Sequence, residues 1–357
     1  MRIAAARVRP VTLRFTRPML TARGEFAHRT SVLLELRDDA GHVGFGEAAP
    51  WPGFGTESVD EAIVGLQEVA ARSEGAGLQS VAGLEEQLAG APASRAALQG
   101  ALCDLAARQA GQSLARYLAS RVAATAGPLL GNVAVHALLT SHDPAMLRGE
   151  AAQARTAGFR ALKIKLGAAS LEFDVARARA AREGAGAGIA LRGDANGAWD
   201  EDTARAALEA LAPLGFEYVE QPLPASDVVG LAALRRCSPV RVAADESVAT
   251  AEGALRLIEC GAVDVVVLKP ATLGGALRTL EIAALARHAG IGVVFSQAFE
   301  SAVGAHHALH CAAAWGDADA VHGLCTAGLF AQDVAAPVAC TNGATSVGAG
   351  PGIGVTP

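Results

Sequence analysis

Three lysines stand out because the chain otherwise uses arginine for positive charge. Of 30 basic residues only three are lysine, namely Lys163, Lys165 and Lys269. A lysine ammonium can lose its proton near neutral pH when its surroundings lower its pKa, whereas an arginine guanidinium stays charged. All three lysines lie at the ends of predicted strands. They are therefore candidates for a general base or for a point charge that stabilises an anion.

Three carboxylates end the strands predicted between these lysines. Asp194, Glu220 and Asp245 follow one another at intervals of 26 and 25 residues. Like charges brought to one rim repel each other, so the arrangement favours a divalent cation among them. A ligand set made only of oxygens favours Mg²⁺ over zinc, with Mn²⁺ able to take its place.

The lysines flank the carboxylates on both sides. Lys163 and Lys165 share one face of their strand because side chains alternate along it, and Lys269 follows the last carboxylate. We expect the neighbouring cations to lower the pKa of each lysine and so to favour the free base. The set predicts an enzyme in which a carboxylate substrate binds Mg²⁺, a lysine removes the α-proton and the metal stabilises the enediolate.

A repeat of about 25 residues places these groups, as expected for alternating strands and crossover helices. Near-continuous apolar strands of this kind predict a parallel sheet buried on both faces, and eight units predict an α/β fold with a (β/α)8-type, TIM-like barrel. In such a barrel, chemistry occurs at the carboxyl ends of the strands. The candidate strands are residues 131–139, 160–165, 188–196, 215–222, 240–247, 263–270, 291–297 and 320–324.

The sequence divides into three parts around this repeat. Residues 1–127 predict an α+β module with alternating strands, a turn-rich loop (GEAAPWPGFGTES) and helices. Residues 128–325 carry the barrel, and residues 326–357 are expected to return to the first module in short strands. We expect the turn-rich loop to lie over the site.

Composition excludes several classes of protein. Hydrophobic residues make up 51% of the chain and charged residues 18%, and no apolar run is long enough to cross a bilayer. A net charge of -6 without a basic run argues against a nucleic-acid partner. No export signal is recognisable, so we expect a cytoplasmic protein.

Cysteine and histidine contribute no clear metal site. The six cysteines are widely spaced, as expected of free buried thiols, although Cys325 lies close to the predicted site. On the helix predicted after strand seven, His306, His307 and His310 are interpreted as solvated or partly buried side chains rather than metal ligands.

The strand-end motifs resemble those of the enolase superfamily, in its muconate-lactonising subgroup. The resemblance covers essentially the full chain and implies that residues 1–127 form a capping domain over the barrel. The motifs are KIK (163–165), GDANGAW (193–199), EQP (220–222), ADES (244–247) and LKP (268–270).

The resemblance assigns roles to the candidate residues. It implies Asp194, Glu220 and Asp245 as Mg²⁺ ligands. It also implies Lys165 as the acid/base lysine, Lys163 as its electrostatic neighbour and Lys269 as the lysine opposite. Asn196 and Glu246 would support the ligands from behind. Arg192 shares the face of Asp194, where it could support a carboxylate or form an ion pair in the barrel core.

The substrate must be read from strands seven and eight and from the capping loops. Dipeptide epimerases of this subgroup usually carry Asp-x-Asp at the end of strand eight, where this chain reads HGLCTAG (322–328). That segment, SQAFESAVG (296–304) and the turn-rich loop resemble o-succinylbenzoate synthases, dehydratases of menaquinone biosynthesis. In that reaction Lys165 would perform both proton transfers while Lys269 stabilises the enediolate. The expected substrate contacts are Arg23, Trp51, Phe54, Ser296, Ser301, Gly323 and Thr326.

Three alternatives stay open. An N-succinylamino-acid racemase or a dipeptide epimerase would use Lys165 and Lys269 on opposite faces of the substrate, and both lysines are present. A barrel that binds a carboxylate without turnover is a more remote alternative. In each case the expected partner is a small carboxylate, and the resemblance is compatible with a homo-oligomer.

Overall fold

The N-terminal part of the chain is an antiparallel sheet packed against helices. The computed structural model describes residues 1–21, 24–122, 125–325 and 328–357. The sheet has the order β1-β2-β3. Its strands are β1 (Ile3–Thr21), β2 (Gly24–Asp38) and β3 (Val43–Ala48). The helices are α1 (Val59–Ser73), α2 (Leu78–Ala82), α3 (Pro92–Gln109) and α4 (Leu114–Ala119).

Two glycines allow β3 to approach α3 closely. A Cβ atom added to Gly46 would overlap backbone atoms of Ala97 in α3, and one added to Gly44 would overlap the backbone of Ala101. Only glycine permits this approach of two backbones. The helix is buried along most of its length as a result.

The rest of the chain alternates strands and helices around a parallel sheet. Seven strands pair in sequence order. They are β5 (Ala137–Leu139), β6 (Ala161–Lys165), β7 (Ala190–Asp194), β8 (Phe216–Glu220), β9 (Arg241–Ala244), β10 (Val265–Leu268) and β11 (Gly292–Phe295). The helices between and after them are α5 (Pro144–Thr156), α6 (Leu171–Ala185), α7 (Glu201–Leu211), α8 (Val228–Cys237), α9 (Ala251–Glu259), α10 (Ala276–His288) and α11 (Ala302–Trp315).

The eighth strand is reduced to two bridging residues that close the barrel. His322 donates its backbone N–H to Ala134 O (2.8 Å), and Gly323 donates to Phe295 O (2.8 Å). His322 and Gly323 form parallel bridges to the first and seventh strand positions, respectively. The predicted (β/α)8-type barrel with an α+β N-terminal domain is therefore confirmed.

The predicted first strand, residues 131–139, is split in two. Its beginning, β4 (Asn132–Ala134), pairs antiparallel with β12 (Ala344–Ser346) near the C-terminus. Only its end, β5, joins the parallel sheet, where it pairs with β6 instead of β12.

The C-terminal segment contacts both parts of the molecule. Besides the pairing of β12 with β4, Thr16 N donates to Leu329 O (2.9 Å), and the Phe330 ring stacks on Phe15 of β1 with centroids 4.9 Å apart. Leu114 N also donates to Gly352 O (2.8 Å). The domain boundaries at residues 127 and 325 stay predictions.

Side-chain alternation separates the two faces of the barrel wall. Leu162 and Ile164 of β6 belong to the large core shared with the helices. Tyr218, Val265 and Val294 belong to a small cluster of inward-facing residues. Polar residues at the carboxyl ends of these strands consequently face the barrel mouth.

Within the described ranges, no helix has the length and apolarity needed to cross a bilayer.

The close approach of β3 and α3 predicts a sharp difference between two glycine substitutions. Gly46→Ala should lower the free energy of unfolding by about 1–3 kcal/mol or more, because the added methyl group has no space. Gly83→Ala serves as the control. Gly83 has a helical φ of -61° and open space around an added Cβ, so alanine should be neutral or should stabilise by up to about 1 kcal/mol. Urea unfolding of both variants measures this, and equal midpoints would contradict the packing.

Candidate active site

The register of three neighbouring strands brings the charged residues to one rim. Lys165 of β6 lies opposite Asp194 of β7, and Asp194 lies opposite Glu220 of β8. Lys163 lies one step deeper, opposite Arg192. Because residues two apart share a face, the sequence of these short strands fixes which side chains meet.

The ammonium group of Lys163 bridges two carboxylates. Its Nζ lies 2.6 Å from Glu220 Oε1 and 2.8 Å from Asp194 Oδ2. Asp194 and Glu220 are each 1% exposed, so these ion pairs are shielded from water. The bridge places two buried carboxyl groups around one ammonium group.

The pKa values of these three groups move according to that balance. Burial raises the pKa of Asp194, but Lys163 and Lys165 outweigh it, so the pKa lies well below its ordinary value. Burial, together with the charge of Asp194, raises the pKa of Glu220 to about 8. Burial lowers the pKa of Lys163, yet Asp194 and Glu220 more than compensate and hold it well above its ordinary value.

Lys165 is the lysine that reaches open space. Its Nζ lies 2.7 Å from Asp194 Oδ2 and 2.9 Å from Asn196 Oδ1. The Lys165 side chain is 47% exposed, whereas those of Lys163 and Lys269 are 11% and 10% exposed. Lys165 is thus the lysine best placed to touch a ligand in the mouth.

Lys269 lies on the opposite side of the rim and is covered. Its Nζ is 2.7 Å from Asp245 Oδ2 and 4.3 Å from the centre of the Phe54 ring, a cation-π contact. Burial lowers the pKa of Lys269, but the negative charges of Asp245 and Glu246 raise it by more. The pKa therefore lies above its ordinary value. The expectation that neighbouring cations lower the lysine pKa values is wrong for Lys163 and Lys269, since carboxylates dominate their surroundings.

Asn196 lies behind the rim and hydrogen-bonds to the carboxylates of both Asp194 and Glu246. Asn196, held in a left-handed conformation (φ 47°), donates from Nδ2 to Glu246 Oε1 at 2.9 Å. The second oxygen of that carboxylate, Glu246 Oε2, is buried without a hydrogen-bond partner. Burial and the charges of Asp245 and Asp194 raise the pKa of Glu246.

Gln221 is a site residue that the sequence analysis missed. Its Oε1 accepts from the backbone N–H groups of Asp245 and Ser247, both at 3.1 Å, and its Nε2 donates to Leu223 O and Ser247 Oγ, both at 2.8 Å. It has a positive φ of 42°, which a non-glycine residue adopts only when its surroundings hold it there. Its position inside the EQP motif was the available signal.

The ligand types at the rim suit a Mg²⁺ ion, although their present arrangement does not form a site for one. Asp194, Glu220 and Asp245 offer only oxygen ligands, and the unpartnered Glu246 oxygen is a further oxygen donor beside them. Across the described part of the chain, no three His, Cys, Asp or Glu side chains stand close enough together to hold a metal ion. At the rim, ammonium groups lie between the carboxylates, so a cation could bind only after those groups turn aside.

The capping loop reaches over the rim. Phe54, in a short 3-10 helix (Pro52–Phe54), covers Lys269, and a Cβ added to Gly55 would lie 3.7 Å from Thr250 Cγ2 of the barrel. The Trp51 ring packs on Phe54 with centroids 5.5 Å apart. Trp51 and Phe54 therefore lie where the sequence analysis expects a lid.

The remaining expected substrate contacts separate into three groups. Ser296 and Gly323 are neighbours at the mouth, since a Cβ added to Gly323 would lie 2.8 Å from Ser296 Oγ. Ser301, in contrast, is fully buried, caps α11 and donates its hydroxyl to Glu47. The prediction that Ser301 contacts the substrate is therefore wrong, and its role is structural. Arg23 and Thr326 lie outside the described residues.

Arg192 forms an ion pair inside the barrel. Its Nε lies 2.7 Å from Glu217 Oε2, and its Nη1 bonds to both Val321 O and His136 Nδ1. These three partners bind the Arg192 guanidinium below the rim. Of the two interpretations left open, the geometry favours the core ion pair.

The histidines after strand seven and Cys325 have ordinary partners. His306 contacts Ala336 O (3.2 Å), His307 contacts Phe45 O (2.8 Å), and His310 accepts from Ala115 N (3.1 Å). Burial and the neighbouring Cys340 raise the pKa of Cys325 to about 12, as expected of an unreactive thiol.

The chain matches two family models that together span most of its length. Residues 3–119 match the mandelate racemase / muconate lactonizing enzyme N-terminal domain, and residues 146–357 match the enolase C-terminal domain-like family.

Individual relatives divide between two activities. The chain is 31% identical over 344 residues to a hydrophobic dipeptide epimerase of Enterococcus faecalis, covering 92% of this chain and 93% of that protein. It is 43% identical over 197 residues to an o-succinylbenzoate synthase of Mycolicibacterium smegmatis, covering 54% of this chain and 59% of that protein. A crystal structure of the Enterococcus faecalis dipeptide epimerase with Mg and L-Leu-L-Tyr aligns over 100% of both chains, with a TM-score of 0.90 and 28% identity.

The hydrogen bonds of Gln221 predict a large effect of a small substitution. Gln221→Leu keeps the approximate volume but leaves the buried N–H groups of Asp245 and Ser247 without an acceptor. We expect a loss of about 2–6 kcal/mol in unfolding free energy, since two buried groups lose their acceptor and each costs about 1–3 kcal/mol. Thermal unfolding beside the conservative Gln221→Glu, which keeps acceptor oxygens, measures this. A melting temperature equal to that of the parent would contradict the role of Gln221.

Proposed function

The chain belongs to the enolase superfamily, in its muconate-lactonising subgroup, and we propose that it is an o-succinylbenzoate synthase. In this proposal it catalyses the syn-dehydration of succinyl-hydroxycyclohexadiene carboxylate to o-succinylbenzoate, a step of menaquinone biosynthesis. Membership of the superfamily itself rests on the two family models.

The neutral end of strand eight carries the proposal. Residues 320–328 contain no Asp or Glu, and His322 is fully buried with its pKa lowered to about 3 by burial and by Arg192. A substrate ammonium group would therefore find no charged anchor at this position. A carboxylate substrate without an amino group suits it better.

The unequal exposure of the two outer lysines supports a mechanism with a single proton-transfer residue. Lys165 is about half-exposed to the mouth, whereas Lys269 lies under Phe54 and against Asp245. One lysine can reach the proton on a substrate, and the other is placed as a fixed positive charge.

The chemistry then follows from these positions. A Mg²⁺ ion held by Asp194, Glu220 and Asp245 would neutralise charge that develops on the substrate carboxylate. The free amine of Lys165 takes the α-proton and becomes an ammonium group. It then gives that proton to the hydroxyl group on the same face, which leaves as water while the ring becomes aromatic. Lys165 ends the cycle as the free amine.

Lys269 and the lid contribute electrostatics without moving a proton. The Lys269 ammonium stabilises the enediolate from the other side, and Phe54 excludes water above it. In a less polar environment this attraction is stronger than it would be in water. The 43% identity with a synthase supports the same assignment.

A dipeptide epimerase is the second candidate, and one cavity favours it. A space of about 310 Å³ beside the lid is lined by Phe15, Phe26, Arg29 and Trp51, among others. Aromatic walls suit the side chain of a hydrophobic dipeptide. The 31% identity over 92% of the chain with a hydrophobic dipeptide epimerase supports this candidate.

Arginine substitutions of the two lysines distinguish the candidates. Arginine keeps the positive charge but cannot exchange protons near neutral pH. For a synthase, Lys165→Arg should lower kcat by about 10²–10⁴-fold, since it removes the general base. Lys269→Arg should keep at least about a tenth of the rate, since the charge remains. The assay follows the ultraviolet absorbance of the cyclohexadiene substrate, with Mg²⁺ and then with EDTA.

The same two variants report on the alternative. An epimerase needs both lysines for proton transfer, so both variants should lose the turnover of hydrophobic dipeptides or N-succinylamino acids. Proton exchange in deuterium oxide, followed by NMR, measures this. Equal losses in the two variants, or parent turnover of dipeptides alone, would contradict the synthase.

A further inference from the structure

One carboxylate of the N-terminal sheet caps a helix of the barrel. Glu47, in β3, accepts the backbone N–H groups of Ser301 (2.8 Å, at Oε1) and Gly304 (2.9 Å, at Oε2). Its Oε2 also accepts the Ser301 hydroxyl (2.5 Å). Ser301 is the cap residue of α11, where unpaired N–H groups and the helix dipole favour a negative charge. Glu47 thus ties the sheet to the helix that follows strand seven.

The guanidinium of Arg29 makes a second connection between the N-terminal sheet and the barrel, next to the start of the lid. Arg29, in β2, donates to Pro50 O (2.5 Å) and Ala49 O (2.9 Å), which immediately precede Trp51. It also donates to Ala298 O (3.4 Å) in the loop after strand seven, and its Cζ lies 4.7 Å from the centre of the Trp51 ring. A single side chain therefore contacts the lid and the barrel together.

The loop between these contacts is strained and packs on the lid. Phe299 has a positive φ of 59°, a conformation that costs about 1–3 kcal/mol for a residue with a side chain. Its ring lies 5.5 Å from that of Trp51 and 6.1 Å from that of Phe15. The next residue, Glu300, is buried and accepts from Ala298 N at 2.8 Å. Contacts on both sides of Phe299 hold it against the lid.

We propose that Glu47 and Arg29 are positioning residues, which form a clamp between the capping domain and the loop at residues 298–304. The clamp sets the place of Trp51 and, through its contact with Trp51, that of Phe54 above Lys269. Neither side chain contacts the lysines or carboxylates of the rim in the described structure, so both act through the lid. The catalytic consequence rests on the proposed function, whereas the position of the lid does not.

The chain offers a matched control for each member of the clamp. Glu57 caps α3 through Ser94 N (2.6 Å) and Ala93 N (3.1 Å), entirely within the N-terminal part. Arg182 of α6 donates to four backbone carbonyls in the segments that precede β7 and β8, and none of these carbonyls belongs to the lid or to the loop after strand seven. Substitution of either control removes the same kind of interaction without touching the clamp.

Quenching of Trp51 fluorescence by acrylamide tests the position of the lid without any substrate. Trp199 and Trp315 are 6% and 1% exposed, so Trp51 dominates the quenchable signal, and a Trp51→Phe background identifies it. Glu47→Ala and Arg29→Lys should increase quenching of Trp51 at least about twofold, because released lid residues become solvated. Glu57→Ala and Arg182→Lys should leave it unchanged. Equal quenching in clamp and control variants overturns the proposal.

A split between KM and kcat tests the catalytic consequence. The clamp variants should raise KM about tenfold with a smaller change in kcat, since misplacement of a substrate-positioning group can cost up to about 10²-fold. Glu47→Gln, which keeps one acceptor oxygen, should recover most of the loss. Unchanged KM in both Glu47→Ala and Arg29→Lys would contradict the role in catalysis, and Arg29→Lys decides alone if Glu47→Ala does not fold. Changed quenching without turnover of any substrate would leave the clamp intact and refute the proposed function.

Discussion

The bridge made by the Lys163 ammonium between Asp194 and Glu220 is the interaction on which the rest of the site depends. Two carboxylates buried on adjacent strands repel each other and lose their hydration, so their charged forms need a cation between them as a stabilising partner. Lys165 and Lys269 extend the same pairing to either side. The rim is consequently a set of alternating charges whose geometry the barrel strands impose. A divalent cation would supply the positive charge that the ammonium groups now provide.

The capping domain makes the two ends of this rim unequal. A symmetrical barrel mouth would leave both outer lysines open, but Phe54 covers Lys269 while Lys165 stays accessible. That asymmetry depends on where the lid rests, and the lid in turn rests on long-range contacts of the N-terminal sheet with the loop after strand seven. The position of the cap thus determines which of the two outer lysines is accessible at the barrel mouth.

Sequence predicted the features that repeat or alternate, and missed those that depend on distant partners. The strand period placed Asp194 and Glu220 on one rim, because residues at equivalent strand ends of a barrel must meet there. The expected direction of the pKa change was wrong for Lys163 and Lys269, since it depends on distances between side chains that spacing does not reveal. Gln221 and Glu47 could not be assigned from sequence, because their partners lie in other segments of the chain. The eighth strand was predicted at residues 320–324, but its reduction to bridges at His322 and Gly323 depends on partners elsewhere in the chain.

The most direct test of the central claim is a crystal structure grown with Mn²⁺, with anomalous scattering used to locate the ion. We expect one strong anomalous peak about 2.0–2.3 Å from an oxygen of each of Asp194, Glu220 and Asp245, with the Lys163 ammonium displaced from between its two carboxylates. A peak at another place, or none at a concentration that supports turnover, would contradict the view that this rim is a metal-dependent active site.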